Sequence, residues 1–289
     1  MTEALMLAQL VRKLEELTAL DDVVDRVSDL ANSALPPGEL KDALHGKHLG
    51  HALHPALVAL PIGFTIAATL LDFCGDEQDR PAARRLVGAA LLLTPPTAAS
   101  GMADFSELGQ SKRPKRVGLV HAGTNAAASV FFTGSWLARR AGRHRTGQAL
   151  SLLGLTGLGL GGYLGGHLAY SQAVGVNRNA DHTPEPSSWT DVAGIDELAD
   201  GPIRVEVAGQ PVMLAKADDG RTYAVGAVCS HLAGDLAEGE LTGDCVVCPL
   251  HGSTFRLQDG GVVSGPATAA VPAYDVQTLG DRVTIRAQN

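Results

Sequence analysis

The sequence predicts a multidomain protein in which an all-α four-helix transmembrane bundle is followed by an all-β domain that carries a metal site. Three observations predict this: four long apolar stretches, short β-type runs separated by turn residues, and two Cys-plus-His motifs between Cys229 and His251. The predicted divisions are an amphipathic helical segment (1–38), a four-span domain (39–176), a linker (177–187) and the β domain (188–289).

The N-terminal segment has apolar residues at helical spacing, among them Leu7, Leu10, Val11 and Leu14, and it ends at L-P-P-G. Its polar face is rich in Asp and Glu, which disfavours a membrane-surface role. We expect the apolar stripe to pack on the rest of the protein or on a second copy in a homodimer. The first thirty-five residues contain no basic-then-apolar start and no twin-arginine pair, so no cleavable export signal is expected.

Four stretches are long and apolar enough to cross a bilayer, which takes about twenty residues each. They cover residues 52–73, 86–104, 117–138 and 149–171. Small residues fill them, as close helix packing in lipid favours. Four spans place both ends of the chain on one side of the membrane. The same side then receives the β domain and three span-end histidines, His54, His121 and His167.

These three histidines are candidates for binding a second redox group. Ionisable side chains in a membrane are costly unless they have a function or a partner. Two neutral imidazoles from different helices can ligate a haem iron, so haem b or a quinone at His121 with His54 or His167 is one hypothesis. The alternative is a structural or interfacial role, since His54 precedes Pro55 where a helix begins.

The metal motifs are Cys229-Ser-His231 and Cys248-Pro-Leu-His251, with sixteen residues between them. Two Cys and two His fit tetrahedral zinc as well as a [2Fe-2S] centre. A zinc finger usually keeps its two Cys together and its two His together, whereas each motif here supplies one of each. The other two cysteines, Cys74 and Cys245, are expected to be unpaired.

On these motifs, residues 188–289 resemble the Rieske family. The resemblance implies an all-β Rieske-type iron-sulfur domain with Cys229 and Cys248 on the buried iron and His231 and His251 on the outer one. Respiratory and photosynthetic Rieske proteins carry an extra Cys in each motif and join the two by a disulfide. Here these positions read Ala or Gly at 233–234 and Leu250, so the site looks ferredoxin-like or oxygenase-like.

Three further residues are implied to surround the cluster. Ser253 matches a position that supplies a hydroxyl group in high-potential members, but their tyrosine is Phe255 here, so we expect a potential below that of the quinol-oxidising proteins. Gly265 and Pro266 match the third loop that often covers a Rieske cluster.

Residues 48–175 also resemble a family of small four-span membrane proteins known as a domain of unknown function. Four features carry this resemblance: L-G-H-x-x-H-P from Leu49 to Pro55, Asp104 after the second span, Val120-His121, and G-G-H-L from Gly165 to Leu168. The family supports the topology and brings no activity.

The charge distribution and the lack of a second catalytic pattern limit the function. Residues 181–289 hold six Lys or Arg and sixteen Asp or Glu, which argues against a nucleic-acid partner and for redox proteins with a basic docking face. No catalytic residue set is recognised. The first hypothesis is a membrane-anchored ferredoxin that carries single electrons between a reductase and a membrane or soluble partner. The second is a membrane oxidoreductase that uses the span-end histidines. Without a disulfide or an export signal, we expect the inner (plasma) membrane, with the termini and the β domain in the cytoplasm.

Overall fold

The computed structural model describes residues 3–182 and 184–288, which fall into two compact units. The first, here called the helical unit, contains the chain up to Pro36 together with Leu53–Val174. The second, here called the β unit, contains Pro37–Ala52 and the chain from Gly175 onward. The segment 37–52 therefore groups with the C-terminal domain. The domain boundaries given above stay a prediction.

Seven α-helices are present in the described residues. They are α1 (Glu3–Glu16), α2 (Asp21–Ala34), α3 (Glu39–His45), α4 (Leu53–Cys74), α5 (Arg80–Ser106), α6 (Lys112–Arg140) and α7 (His144–Gly166). A π-helical stretch, His167–Ser171, continues α7. All except α3 belong to the helical unit.

One apolar core joins α4 to α7. Ala68 of α4, Val87 of α5 and Phe132 of α6 are buried in one cluster, against which side chains of α7 also pack. Gly154 lets α7 approach α6 closely, because a Cβ at this position would lie 2.9 Å from Phe132 Cζ. Small residues at helix contacts are typical of helices that pack in lipid.

Three helical stretches are long and apolar enough to cross a membrane: Leu53–Cys74, Glu77–Ser106 and His144–Ser171. Large apolar side chains on their outer faces are open to the surroundings, and Leu92 is 80% exposed. Such a surface indicates contact with lipid. Helix α6 has 29 residues but carries polar side chains such as His121 and Asn125, and it is not among the three. The predicted count of four spans is therefore not confirmed.

Helices α1 and α2 pack on the rest of the helical unit. Val11 is buried with Val117 and Leu164. Both carboxylate oxygens of Asp21 accept hydrogen bonds from the Arg116 guanidinium, at 2.7 and 2.8 Å. Val11 and Leu14 of the N-terminal apolar stripe therefore pack on the same chain, which is one of the two outcomes expected for it, whereas Leu7 and Leu10 stay exposed.

Glu15 forms the centre of this contact. Its carboxylate accepts hydrogen bonds from His167 Nε2 (2.7 Å), Arg113 Nη2 (2.6 Å) and Gln172 Nε2 (2.7 Å). Burial by itself would raise the pKa of Glu15, but these hydrogen bonds and the charge of Arg113 outweigh it and lower the pKa to about 2.

The β unit contains two antiparallel sheets in the described residues. The strands are β1 (Thr190–Gly194), β2 (Ile203–Val207), β3 (Gln210–Lys216), β4 (Thr222–Gly226), β5 (Glu240–Thr242), β6 (Cys245–Val247), β7 (Thr254–Arg256), β8 (Val262–Ser264), β9 (Ala273–Leu279) and β10 (Arg282–Ala287). The larger sheet has the order β1-β10-β9-β4-β3-β2, and the smaller one has the order β5-β6-β7-β8.

The larger sheet is buried on both faces. Because successive side chains of a strand point to opposite faces, Val212 and Leu214 of β3 enter one core while Met213 and Ala215 enter the other. This explains the continuous apolar run P-V-M-L-A, which a sheet with one wet face would not need. The second core also holds Phe255 of β7 and the sulfur atoms of the candidate site.

The predicted fold class is confirmed as a helical N-terminal part followed by an all-β domain. Its description as a four-helix transmembrane bundle is not confirmed, since the described residues form seven helices with three candidate spans. The β-type runs at 202–207, 211–215, 222–225, 245–248 and 282–286 predict five strands, which correspond to β2, β3, β4, β6 and β10. Strands β1, β5, β7, β8 and β9 are not predicted by these runs.

Candidate metal centre

The two Cys-plus-His motifs form two loops with the same backbone hydrogen bonds. In the first loop the N–H of Cys229 donates to Gly234 O (2.8 Å) and the N–H of Ala233 donates to Cys229 O (3.0 Å). In the second loop the N–H of Cys248 donates to Ser253 O (2.8 Å) and the N–H of Gly252 donates to Cys248 O (3.0 Å). Each loop thus closes on its own cysteine.

Each loop also turns at a residue with positive φ, four positions after its cysteine. The two residues are Ala233, with φ 59°, and Gly252, with φ 73°. Glycine adopts this left-handed conformation without a steric penalty, whereas alanine does so at a cost. The turn directs the His side chain of each loop back toward the other loop.

Both cysteine side chains are buried, with 1% and 2% of Cys229 and Cys248 exposed. The backbone N–H groups of His231 and Leu232 point at the Cys229 sulfur, and those of Leu250 and His251 point at the Cys248 sulfur. The two thiols form a hydrogen bond with each other, which together with burial raises the pKa of Cys229. The same hydrogen bond, helped by the loop N–H groups, lowers the pKa of Cys248 to about 6.

The two histidines face each other, with ring centroids 5.1 Å apart and ring planes at 90°. His231 Nδ1 is buried and has no hydrogen-bond partner within the described residues. Burial, together with the charges of His251, His45 and Arg178, lowers the pKa of His231 to about 3. His231 is therefore a neutral imidazole with a buried nitrogen, which is the form that ligates a metal.

These side chains fit a two-iron cluster better than a single zinc ion. One pair consists of two adjacent sulfurs with N–H donors, and the other consists of two facing imidazoles. Among the side chains described, those of residues 7–182 and 184–288, no three His, Cys, Asp or Glu converge as ligands of one metal ion. A [2Fe-2S] cluster needs only two protein ligands on each iron, so the separation into pairs suits it.

Gly234 and Leu250, which stand where respiratory and photosynthetic Rieske proteins carry their disulfide cysteines, lie next to each other. A Cβ at Gly234 would be 3.0 Å from Leu250 Cγ and 2.8 Å from Cys248 Sγ. All four cysteines of the chain are free thiols, as expected for Cys74 and Cys245. Gly234 leaves just enough room for the Cys248 sulfur atom.

Ser253 links the second loop to the loop after β8. Its side chain is fully buried, and Ser253 Oγ accepts a hydrogen bond from the N–H of Ala267 at 3.0 Å. The hydroxyl hydrogen of Ser253 remains available for a further acceptor. Gly265 and Pro266 directly precede Ala267, so Ser253 holds the predicted covering loop against the second motif.

Sequence reasoning missed the part played by α3. Asp42 Oδ1 accepts hydrogen bonds from the Gly265 N–H (2.8 Å) and from Ser264 Oγ (3.3 Å). Lys47 Nζ donates to Val263 O and to Asp42 Oδ2, both at 2.9 Å. No local pattern signals the contacts with Val263, Ser264 and Gly265, because more than two hundred residues of chain separate them from Asp42 and Lys47.

In the helical unit the structure brings His54 and His121 together but not His167. The rings of His54 and His121 are 6.4 Å apart between centroids. His54 Nδ1 lies 3.0 Å from Thr97 O, and His121 Nδ1 lies 2.7 Å from Gly161 O. A carbonyl can only accept, so each Nδ1 carries the proton and each Nε2 keeps a lone pair, which in His121 faces the Asn125 Nδ2 donor at 3.3 Å. His167 instead contacts Glu15.

Two family matches cover most of the chain. Residues 188–275 match the family described as the Rieske [2Fe-2S] domain. Residues 50–178 match the family described as "Predicted membrane protein (DUF2231)". The matched parts agree with the two resemblances noted from the motifs.

Individual relatives match the C-terminal domain. The ferredoxin component of the naphthalene 1,2-dioxygenase system of Pseudomonas aeruginosa is 32% identical over 98 residues, which cover 34% of this chain and 93% of that protein. The cholesterol 7-desaturase of Hemicentrotus pulcherrimus is 30% identical over 102 residues, which cover 32% of this chain and only 22% of the desaturase.

Among solved structures, the ferredoxin of carbazole 1,9a-dioxygenase from Nocardioides aromaticivorans IC177 is 30% identical, with a TM-score of 0.33, and covers 35% of this chain and 100% of that one. The match to nearly the whole length of the naphthalene dioxygenase ferredoxin, together with the family match, identifies the domain. The chain therefore belongs to the Rieske [2Fe-2S] family, and a domain of the DUF2231 membrane-protein family precedes its Rieske domain.

Proposed function

We propose that the protein is a membrane-anchored Rieske-type ferredoxin that carries single electrons between a reductase and a membrane or soluble redox partner. The observation that carries this proposal is the pair of matching loops, which present two buried sulfurs on one side and two facing imidazoles on the other. When bound, the [2Fe-2S] cluster supplies one-electron redox chemistry.

In this proposal Cys229 and Cys248 ligate the inner iron, and His231 and His251 ligate the outer iron. The loop N–H groups directed at each sulfur stabilise negative charge on it, as do hydrogen bonds in other metal sites. The hydroxyl group of Ser253, fixed by Ala267, is placed to add one more donor. The loop at Gly265 and Pro266 limits access of water. No residue of the chain is assigned a catalytic role.

A cluster assay with a matched cysteine control tests the ligand set. We expect the full-length protein in detergent to contain two irons and two acid-labile sulfides and, when reduced, to give the low average g value of a His-ligated cluster. Cys248→Ser should lose the cluster, whereas Cys245→Ser, in the strand just before the second loop, should keep it. Zinc in place of iron, or equal loss in both variants, would refute the assignment.

We further propose four spans, α4 to α7, in the inner membrane, with both termini and the Rieske domain in the cytoplasm. Support comes from the core that α6 shares with the three candidate spans. The absence of cysteine at Gly234 and Leu250 suits a reducing compartment. Cys74 is exposed at the end of α4, and this topology places it on the periplasmic face.

Thiol labelling of intact cells tests the topology. A membrane-impermeant maleimide should label the wild type at Cys74 and should not label Cys74→Ser. Labelling of Cys245 under the same conditions would reverse the proposed orientation. The mass of the protein in detergent will show whether the predicted homodimer forms.

The negative charge of the Rieske domain favours binding to redox proteins that have a basic docking face. The naphthalene dioxygenase relative is named as the ferredoxin component of an oxygenase system, so a ferredoxin reductase and an oxygenase are partner classes to test. Opposite charges speed up association, and added salt screens them. We therefore expect electron transfer from a basic reductase to slow down as the salt concentration increases.

A second candidate is a membrane oxidoreductase in which His54 and His121 bind haem or a quinone. The supporting observation is that both rings have Nδ1 against a carbonyl oxygen, which leaves each Nε2 with a lone pair. The ring separation of 6.4 Å also suits two imidazoles on one metal, since two metal–nitrogen bonds of about 2 Å plus the ring half-widths give about 6 Å.

An optical spectrum separates the two candidates. A Soret band that disappears in His121→Ala and persists in His48→Ala would support haem at this pair. His48 is a suitable control because it lies in the β unit and more than half of its side chain is exposed. Cluster absorbance without a Soret band, and without bound quinone in a solvent extract, would leave the ferredoxin as the function.

A further inference from the structure

Helix α3 has an unusual composition for its degree of burial. It has only seven residues, and three of them, Lys41, Asp42 and His45, are charged or titratable and buried to 94% or more. Polar side chains are buried at a cost unless partners compensate for the lost water. The partners of Asp42 lie at the strand end and loop that follow the cluster motifs.

Asp42 and Lys47 each form a hydrogen bond with the backbone of residues 263–265. The Asp42 carboxylate accepts from the Gly265 N–H at 2.8 Å, and Lys47 Nζ donates to Val263 O at 2.9 Å. The two side chains also form an ion pair with each other at 2.9 Å, in which 8% of Asp42 and 13% of Lys47 is exposed. Hydrogen bonds in which the donor or acceptor is charged are stronger than neutral ones.

The same helix covers the surface beside the loop. A Cβ at Gly265 would lie 3.2 Å from Asp42 Oδ1 and 3.5 Å from His45 Cδ2, so α3 lies directly over this glycine. The linker packs against residues 228–230. The N–H of Arg178 donates to Ser230 O at 3.0 Å, and Asn179 Nδ2 donates to Val228 O at 2.7 Å. The linker therefore lies against residues of the first cluster motif, and His45 of α3 is close enough to His231 for its charge to act on that ring.

We propose that α3 and Lys47 form a built-in cap on the His231 side of the cluster, which excludes a separate redox protein from that side and leaves for docking the His251 side, where the neighbouring Leu250 is 56% exposed. This inference rests on the proposed ferredoxin function and deepens it by assigning the face that a partner uses. It also assigns Asp42 and Lys47 as positioning residues for the loop 263–266.

The test compares the wild-type protein with Asp42→Ala/Lys47→Ala, which removes the clamp. Glu39→Gln is the matched control, because Glu39 is on the same helix, its side chain is 82% exposed, and it approaches Lys47 only at 3.8 Å. Full-length protein in detergent is reduced and mixed with a small basic c-type cytochrome in the ferric state. One electron passes from the reduced cluster to the ferric haem, and the second-order rate is measured.

Two readouts besides this rate make the result interpretable. Hydrogen exchange of the peptides containing 39–45 and 263–267 reports whether the cap is released, and we expect at least about tenfold faster exchange in the double variant. EPR and the midpoint potential report the cluster itself. They should match the wild type, and a cluster that is not of the Rieske type in either protein would refute the proposed function rather than the cap.

With the cap released, we expect the cytochrome reaction to be at least about threefold faster, and Glu39→Gln to react like the wild type. An unchanged rate despite faster exchange would overturn the proposal, as would an unchanged exchange rate. A faster reaction that a lower midpoint potential accounts for would also overturn it. Should the double variant fail to hold its cluster, Lys47→Ala alone gives the same comparison, because it leaves the Asp42 hydrogen bond to Gly265 in place.

Discussion

Replacing Gly234 with alanine should remove the cluster, because this position borders a ligand sulfur atom. The new Cβ would lie 2.8 Å from Cys248 Sγ and 3.0 Å from Leu250 Cγ. Non-bonded heavy atoms prefer separations of about 3.5–4.0 Å, so the sulfur would have to move by several tenths of an ångström. Cys248 cannot retreat easily, since the N–H groups of Leu250 and His251 hold its sulfur and its own N–H is bonded to Ser253 O.

Overpacking of this kind costs about 1–3 kcal/mol, which for a domain of about 100 residues lowers Tm by roughly 5–20 °C. We expect Gly234→Ala to lose most of its iron and acid-labile sulfide, and to unfold earlier in a thermal scan followed by circular dichroism. Gly252→Ala is the control: its Cβ meets nothing within 4 Å, and its φ of 73° costs the folded state about 1–2 kcal/mol without touching the sulfur. Full iron content in Gly234→Ala, or equal iron loss in Gly252→Ala, would refute the steric explanation.

Three further outcomes follow from buried contacts. Arg139 donates to both carboxylate oxygens of Asp72, at 2.7 and 2.5 Å, with 1% and 3% of the two side chains exposed. Arg139→Met should therefore destabilise the protein in detergent by about 3–5 kcal/mol, and adding Asp72→Asn should restore much of this loss in a thermal unfolding assay. Glu15 has a folded-state pKa of about 2, below its ordinary 4.5, so its contribution is complete above pH 4.5 and is lost as the pH falls toward 2. Glu15→Gln should remove that part of the acid dependence of stability, and an unchanged acid profile would contradict the role of these hydrogen bonds. Ser253→Ala leaves the buried Ala267 N–H without its acceptor, so we expect a loss of about 1–3 kcal/mol in stability together with a lower midpoint potential, measured by redox titration. A potential equal to or above that of the wild type would show that the hydroxyl group donates nothing to the cluster.

The parts of the site that are local in sequence could be predicted from the sequence. Cys229 with His231, and Cys248 with His251, are each only two or three residues apart, so the loop that carries them also fixes their relative positions. The long apolar helices were predicted for a similar reason, because a span is a property of composition over twenty adjacent residues.

Contacts between distant parts of the chain could not be predicted in this way. Asp42 precedes Gly265 by more than two hundred residues, and nothing near Asp42 indicates that its carboxylate is buried. His167 was grouped with His54 and His121 because all three lie at span ends, whereas its ring pairs with Glu15 of α1. An even number of spans predicts on which side of the membrane a histidine lies, but it does not predict which side chain that histidine contacts.

The position of α3 in the chain has a consequence for synthesis. Residues 37–52 leave the ribosome before any strand of the β unit exists, and this unit is completed only by the chain from Gly175 onward. Until then the Asp42 and Lys47 charges have water as their partner in place of the loop at 263–265. A nascent chain that stops before β8 therefore leaves α3 without its binding site, and this early helix reaches its native contacts only after residues 263–265 have been synthesised.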